Sequence, residues 1–252
     1  MSTPKNLPLR AKLTYGVHLL KALTRNHHKE MIPLLEPLLD KEAVIIDVGA
    51  HAGQFSKLFS KLRIMGKVYA FEPATYARSI LETVVWAHML NNVRILPWGL
   101  SDKPAKRTLH IPLKASGSLG FGLSHLGDDK EIDNRPTYEE DIELILLDEF
   151  VNEQNIDRVD LIKSDIEGWE MRMLAGAENT IDKFRPVIIL EVNADFLGRA
   201  GDTPETMWEF LKKYDYEIQE LLFEDGKVST RPAPEPCHGD ILCVSSATKA
   251  NA

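Results

Sequence analysis

The chain has 252 residues, 44% of them hydrophobic, which is enough to bury one sizeable core as a single main domain. A net charge of −8 and a pI near 5.5 argue against the clustered cations that grip a nucleic-acid backbone. Two cysteines, Cys237 and Cys243, are too few for a disulfide framework or a Cys-rich zinc site, and with no membrane-length apolar run or leader-like start they suggest a cytoplasmic protein.

The charge is uneven. Residues 1–30 carry Lys5, Arg10, Lys12, Lys21, Arg25 and Lys29 against Glu30 alone, a net +5 that leaves −13 for the remainder. Leu13, Val17 and Leu20 fall at helical spacing, so residues 1–40 are expected to form a helical extension. Packing on its own acidic domain is the first expectation for this helix, and contact with an anionic membrane surface is the alternative.

Residues 41–246 read as one domain. Short β-branched runs alternate with helical patterns, the rhythm of an α/β fold with a mostly parallel sheet and helices on both faces. Seven strands are expected, at Val44-Ile46, Val68-Phe71, Arg94-Leu96, Leu161-Lys163, Val187-Val192, Glu217-Leu222 and Ile241-Val244, the last antiparallel. Nearly continuous apolar runs mark the first five as buried on both faces. Helices are expected over Gln54-Leu62, Thr75-Leu90, Leu147-Glu153, Glu170-Leu174 and Pro204-Lys213, the last opened by the capping sequence Asp202-Thr203-Pro204.

Between the third and fourth strands the rhythm breaks. A hairpin of Arg107-Ile111 with Asp141-Ile145 encloses a long polar, glycine-rich stretch, and residues 112–140 are read as a substrate-side loop in which Leu119, Phe121 and Leu123 cover a ligand. Residues 247–252 read as a frayed tail.

The stretch "IIDVGAHAGQFS" turns sharply from the first strand into the first domain helix. Its pattern, Asp47-x-Gly49-x-x-x-Gly53, lacks the middle glycine of the dinucleotide fingerprint and places a carboxylate where a pyrophosphate would be repelled. An acid there suits a cationic ammonium, as in S-adenosylmethionine. Nineteen residues after Gly53, the second strand ends in "VYAFEP", which places Glu72 to grip ribose hydroxyls. Gly49, Ala50, His51, Gly53, Glu72 and Pro73 thus form the expected cofactor wall with Asp47. After the third strand, Ser101 and Asp102 of "GLSDK" are placed to bond the adenine edge. Trp86, His88, Trp98 and Trp169 are read as packing rather than cofactor-stacking residues.

These residues resemble the FkbM-type methyltransferases, class I enzymes dependent on S-adenosylmethionine with a Rossmann-like fold. The blocks "IDVGAHAGQFS", "YAFEP", "GLSDK", "LLDEFV", "VDLIKSDIEGWEMRMLAGA" and "IILEVN" carry the resemblance in order over residues 44–193. The family usually has asparagine where this chain has His51, so a cofactor affinity that varies with pH is expected here. The resemblance implies O-methylation of a hydroxyl on a sugar, glycan or secondary metabolite.

Methyl transfer to an alcohol needs in-line alignment, exclusion of water and a means of removing the hydroxyl proton. Asp165 follows the fourth strand and is the expected general base or metal ligand. Glu167 is assigned to orienting the acceptor or the turn, and Glu191 to binding the acceptor's hydroxyls. Asp165, Glu191 and Asn193 together offer hard oxygen ligands for Mg2+. His125, in the long loop, is an alternative base. Two rival readings share the glycine turn: a nicotinamide-dependent oxidoreductase, and a binding or scaffold protein that keeps the fold without chemistry.

Overall fold

The computed structural model of the protein describes residues 9–63, 65–112, 125–126 and 137–246. In chain order the elements are α1 (Leu9–Thr24), α2 (Ile32–Leu35), β1 (Val44–Val48), α3 (Gln54–Leu62), β2 (Lys67–Phe71), α4 (Thr75–Ala87), β3 (Val93–Leu96), β4 (Trp98–Leu100), β5 (Ala105–Pro112) and β6 (His125–Leu126). They continue with β7 (Thr137–Ile145), α5 (Leu147–Glu153), β8 (Leu161–Ser164), α6 (Glu170–Ala175), α7 (Glu178–Phe184), β9 (Val187–Val192), α8 (Ala194–Arg199), α9 (Pro204–Lys213), β10 (Tyr216–Glu224), β11 (Lys227–Pro232) and β12 (Gly239–Ser245).

The main sheet runs β11-β10-β12-β9-β8-β1-β2-β3. Strands β9, β8, β1, β2 and β3 are parallel, while β12 is antiparallel to β9 and β10 to β12. The chain steps outward from β1 to β3, then returns to the far side of β1 with β8. That reversal opens a crevice beyond the carboxyl ends of β1 and β8, where open α/β sheets place their ligands.

The sheet has eight strands rather than the seven expected. The extra one, β11, pairs antiparallel with β10 across a two-residue turn in which Asp225 and Gly226 both have positive φ. Asp-Gly is a strong hairpin signal, but the polar edge sequence "KVSTRP" masks the strand that follows it. A second surprise is that the hairpin belongs to a separate sheet, β4-β7-β5-β6. Its register sets Arg107 against Ile142 and Ile111 against Tyr138, and β4 joins parallel to β7.

Alternation along the buried strands divides the core. Ile46, Val48, Phe71, Ile162, Ile188 and Leu190 face α5, α6, α7 and α9 through residues such as Phe150, Met173, Ile181 and Trp208. Ile45, Val68, Leu161, Val187 and Ile189 face the opposite layer of Met31, Leu35, Leu58 and Phe59. Capping starts α9 as expected: Thr203 accepts from the Thr206 amide and the Thr206 hydroxyl returns the bond.

Helix α1 rests on α4, but not by the stripe expected. Tyr15, Leu19, Ala22 and Leu23 pack against the cluster of Tyr76, Ala77, Ile80 and Val84, whereas Val17 and Leu20 are exposed. The loop residues Leu119, Phe121 and Leu123, and the tail 247–252, lie outside the described residues.

Candidate active site

The glycine turn is a consequence of close packing. Gly49 has φ +71°, and a Cβ there would lie 2.1 Å from the Asp165 carbonyl oxygen, so only glycine lets the β1 turn and the β8 turn touch. Gly49 and Ala50 both donate their amides to the Phe71 carbonyl, 3.0 Å away, which ties the turn to the end of β2. Glu72 continues that tie. One carboxylate oxygen accepts from the His51 amide at 2.7 Å and the other from the Ala74 amide at 2.8 Å. Burial pushes its pKa up to about 7, partly offset by those two amides.

Asp47 is fully buried beneath the turn and does not reach the cavity wall. Its Oδ2 accepts from Ser56 at 2.5 Å, and the Lys163 ammonium lies 3.8 Å from Oδ1. Lys163 also stands 3.7 Å from Asp165, so one buried cation is shared by two strand-end acids. Burial raises the Asp47 pKa against the pull of Lys163 and the Ser56 bond.

A cavity of about 380 Å3 opens beyond the strand ends. Gly49, Ala50, His51, Glu72 and Pro73 line it, with Lys163, Asp165 and Glu167 on the β8 side. Trp98 to Leu100 of β4, Trp169, and Leu109, Ile142 and Leu144 of the second sheet supply apolar wall. His51 is half-buried with its ring Nδ1 shielded from solvent, and desolvation lowers its pKa to about 4, so it is neutral throughout the physiological range. The expected pH-dependent cofactor affinity therefore has no source in this side chain.

Ser101 and Asp102 take another role. Ser101 is buried and accepts from the Trp169 indole at 3.1 Å, while Asp102 pairs with Arg172 at 3.2 Å, and neither lines the cavity. They fix Trp169 and α6 from behind. Of the four side chains read as packing, Trp98 and Trp169 reach the cavity, Trp86 is exposed, and His88 bonds the Leu23 carbonyl.

The acids after β8 and β9 do converge. Asp165, Glu167 and Glu191 each offer an oxygen within 4.8 Å of the others. Mutual repulsion adds to burial: Glu167 is pushed up to about 7 by burial and then by Asp165, and Glu191 to about 8 by burial, Asp165 and Glu167, with a hydrogen bond to Asp165. Glu167 has φ +57°, a left-handed conformation that aims it into this cluster. Glu170, not Glu167, closes the turn, accepting from the Ile166 amide at 2.8 Å. Asn193 is likewise committed, since its side chain caps α8 by accepting from the Asp195 and Phe196 amides. Among the described residues, Glu167 therefore completes the oxygen set expected of Asn193. His125 lies on β6, in register with His110 of β5.

Sequence reasoning missed His28, Phe55, Phe196 and Arg199, which also line the cavity. His28 stacks on Phe55 with ring centroids 4.1 Å apart, and the Arg199 guanidinium lies 4.5 Å over Phe196. Phe55 stands in the glycine-turn block itself, whereas His28, Phe196 and Arg199 come from segments with no motif, brought to the cavity by tertiary packing.

A parallel sheet with a switch-point crevice, a glycine turn and strand-end acids is the Rossmann-like architecture of the S-adenosylmethionine-dependent methyltransferases. The family model for the methyltransferase FkbM domain matches residues 47–218, and the chain belongs to that family. It is 26% identical over 166 residues to the 2-O-methyltransferase NoeI of Sinorhizobium fredii, covering 63% of this chain and 65% of that one. Over 218 residues it is 26% identical to the AMB antimetabolite synthetase AmbE of Pseudomonas aeruginosa, covering 74% of this chain but 10% of that protein. The chain thus spans less than two-thirds of these relatives. Among solved structures, a methyltransferase FkbM from Methylobacillus flagellatus superposes with a TM-score of 0.53 at 16% identity, over 85% of this chain and 47% of that one, which shows the shared fold. No described helix is long and apolar enough to cross a membrane.

Proposed function

We propose that the protein is an S-adenosylmethionine-dependent O-methyltransferase acting on a hydroxyl of a sugar, glycan or secondary metabolite, in the cytoplasm and without a nucleic-acid partner. The carrying observation is that one cavity joins the glycine turn and Glu72 to the cluster of Asp165, Glu167 and Glu191. The 2-O-methyltransferase among its relatives supports oxygen as the acceptor atom.

The wall fits the cofactor. Each Glu72 oxygen that accepts an amide keeps a lone pair for a ribose hydroxyl, and Pro73 with Trp98 to Leu100 offers an apolar slot for a base. His51, neutral and half-buried, lines the methionine end beside Gly49 and Ala50. Asp47 acts one layer below, holding Lys163 and Ser56. Ser101 and Asp102 support the slot through Trp169. When bound, the cofactor supplies an electrophilic methyl on a sulfonium.

The chain's own residues then do the rest. Asp165 takes the acceptor hydroxyl proton as oxygen bonds to the methyl carbon and the carbon–sulfur bond breaks. Glu191 hydrogen-bonds Asp165 and holds a proton below about pH 8, so its ionisation releases the Asp165 carboxylate from that hydrogen bond. Glu167 orients the acceptor. The rate is expected to rise with pH up to about 8, and Glu191→Gln to flatten that limb. The same variant bears on stability. A carboxyl raised in the fold favours folding at low pH and loses that contribution as pH rises to about 8, so the melting temperature of Glu191→Gln should gain on the native protein's as pH rises. An unchanged pH profile would remove Glu191 from the base.

A second reading of the cluster follows from its chemistry. Asp165, Glu167 and Glu191 are hard oxygen donors that would hold Mg2+, which would lower the acceptor hydroxyl's pKa. Loss of methyl transfer on chelation, restored by Mg2+, would favour it.

The test of the whole reading is calorimetric titration with S-adenosylhomocysteine and with NAD, then transfer of labelled methyl to hydroxylated sugars and metabolites. Binding of NAD alone would install the oxidoreductase, binding without transfer to any acceptor the scaffold, and label on nitrogen or carbon would displace the O-methyl assignment.

A further inference from the structure

Large apolar side chains are not scattered over this surface. Of the six that are exposed among the described residues, five are Val17, Leu20, Met65, Trp86 and Met89, with Trp86 71% and Met89 77% exposed. Hydrogen bonds hold the elements that carry them side by side. His88, between Trp86 and Met89, bonds the Leu23 carbonyl at 3.0 Å, joining the end of α4 to the end of α1. Asn92 bonds the Arg63 carbonyl at 3.0 Å, drawing the turn that carries Met65 against the segment after Met89. Lys57 of α3 binds the carbonyls of Ala22 and Arg25 at 2.8 and 2.6 Å, holding the end of α1 on the same side.

The charge around this face opposes that of the whole chain. Lys21, Arg25, Lys61 and Lys67 are exposed, the acids Glu30 and Glu82 are half-buried, and the exposed Glu42 stands beside Lys67, whose amide bonds the Ala43 carbonyl at 3.1 Å. Lys5, Arg10 and Lys12 precede them in sequence. Met89 adopts φ +52°, the left-handed turn that ends α4 and leaves its side chain on the surface. Among the described residues α1 is fixed by its other side, through Tyr15, Leu19, Ala22 and Leu23.

We propose that this face docks the protein on an anionic lipid bilayer surface, with Trp86, Leu20, Val17, Met65 and Met89 in the headgroup boundary and the surrounding cations on lipid phosphates. Exposed apolar residues with tryptophan, framed by lysine and arginine, are the composition of interfacial anchors. A second copy is the poorer occupant, since a two-fold interface would set the cations of this face against their own copies. The inference is independent of the acceptor and of methyl transfer.

The full chain should float with vesicles of mixed phosphatidylcholine and phosphatidylglycerol, weakly or not at all with phosphatidylcholine alone, and less as salt rises. Leu20→Ser with Trp86→Ser should lower vesicle affinity at least about tenfold while leaving the melting temperature and S-adenosylhomocysteine binding unchanged. In the native protein, brominated lipid should quench tryptophan emission, and Trp86→Phe should abolish that quenching. Failure to bind anionic vesicles, or binding undiminished in the double variant, would overturn the proposal. So would a concentration-dependent dimer, seen by sedimentation, that the double variant breaks.

Discussion

Asp165→Asn is expected to lower methyl transfer by about 10²–10⁴-fold, the range for loss of a positioned base, with S-adenosylhomocysteine affinity changed by less than about threefold. The fold should survive. Asp165 is 48% exposed at its side chain, and its partner Lys163 keeps Asp47 at 3.8 Å. A second consequence distinguishes a base from a merely acidic neighbour. Asp165 repels and hydrogen-bonds Glu191, raising its pKa, so the substitution should move the ionisation of Glu191 down from about 8. Any residual activity should then depend on pH over a more acidic window, because Glu191 is left as the remaining carboxylate beside the acceptor. Asp165→Asn combined with Glu191→Gln should reach the uncatalysed background. Single-turnover rates across pH, with cofactor saturating, check each step, and an undiminished rate in the single variant would remove Asp165 from the chemistry.

The parallel strands were legible in the sequence because burial on both faces leaves an unbroken apolar run, as in Val187 to Leu190. The wall from Gly49 to Glu72 was legible because backbone geometry demands those residue types at fixed spacing. Asn193 was misread because asparagine is both an oxygen donor and a helix cap, and only the start of α8 decides between them. Ser101 and Asp102 were misread for a related reason, since their partners Trp169 and Arg172 lie about seventy residues away in sequence. His28, Phe196 and Arg199 left no trace, because this part of the cavity wall is assembled from elements whose local sequence answers to packing alone. The exposure of Val17 and Leu20 was equally hidden. Two apolar stripes on one helix look alike until the domain selects one of them.

Gly49→Ala should destabilise the protein by about 2–4 kcal/mol and abolish detectable S-adenosylhomocysteine binding. Two costs combine. The left-handed φ of +71° alone disfavours an L side chain by about 1–2 kcal/mol. The new methyl would also sit 2.1 Å from the Asp165 carbonyl oxygen and 2.9 Å from the Ile166 side chain, and the backbone contact has no rotamer by which to escape. Relief requires the β1 turn and the β8 turn to part, which separates the Gly49, Ala50 and His51 wall from Asp165. Thermal melting and calorimetric titration read the two effects separately. Gly16→Ala is the internal control, because that glycine lies within α1, meets nothing within 4 Å and lacks a positive φ, so alanine there should stabilise by about 0.5–1 kcal/mol. If both substitutions shifted the melting temperature in the same direction, the close contact between the two turns would not be what fixes the cofactor wall, and the coupling of that wall to Asp165 would have to come from the Lys163 bridge instead.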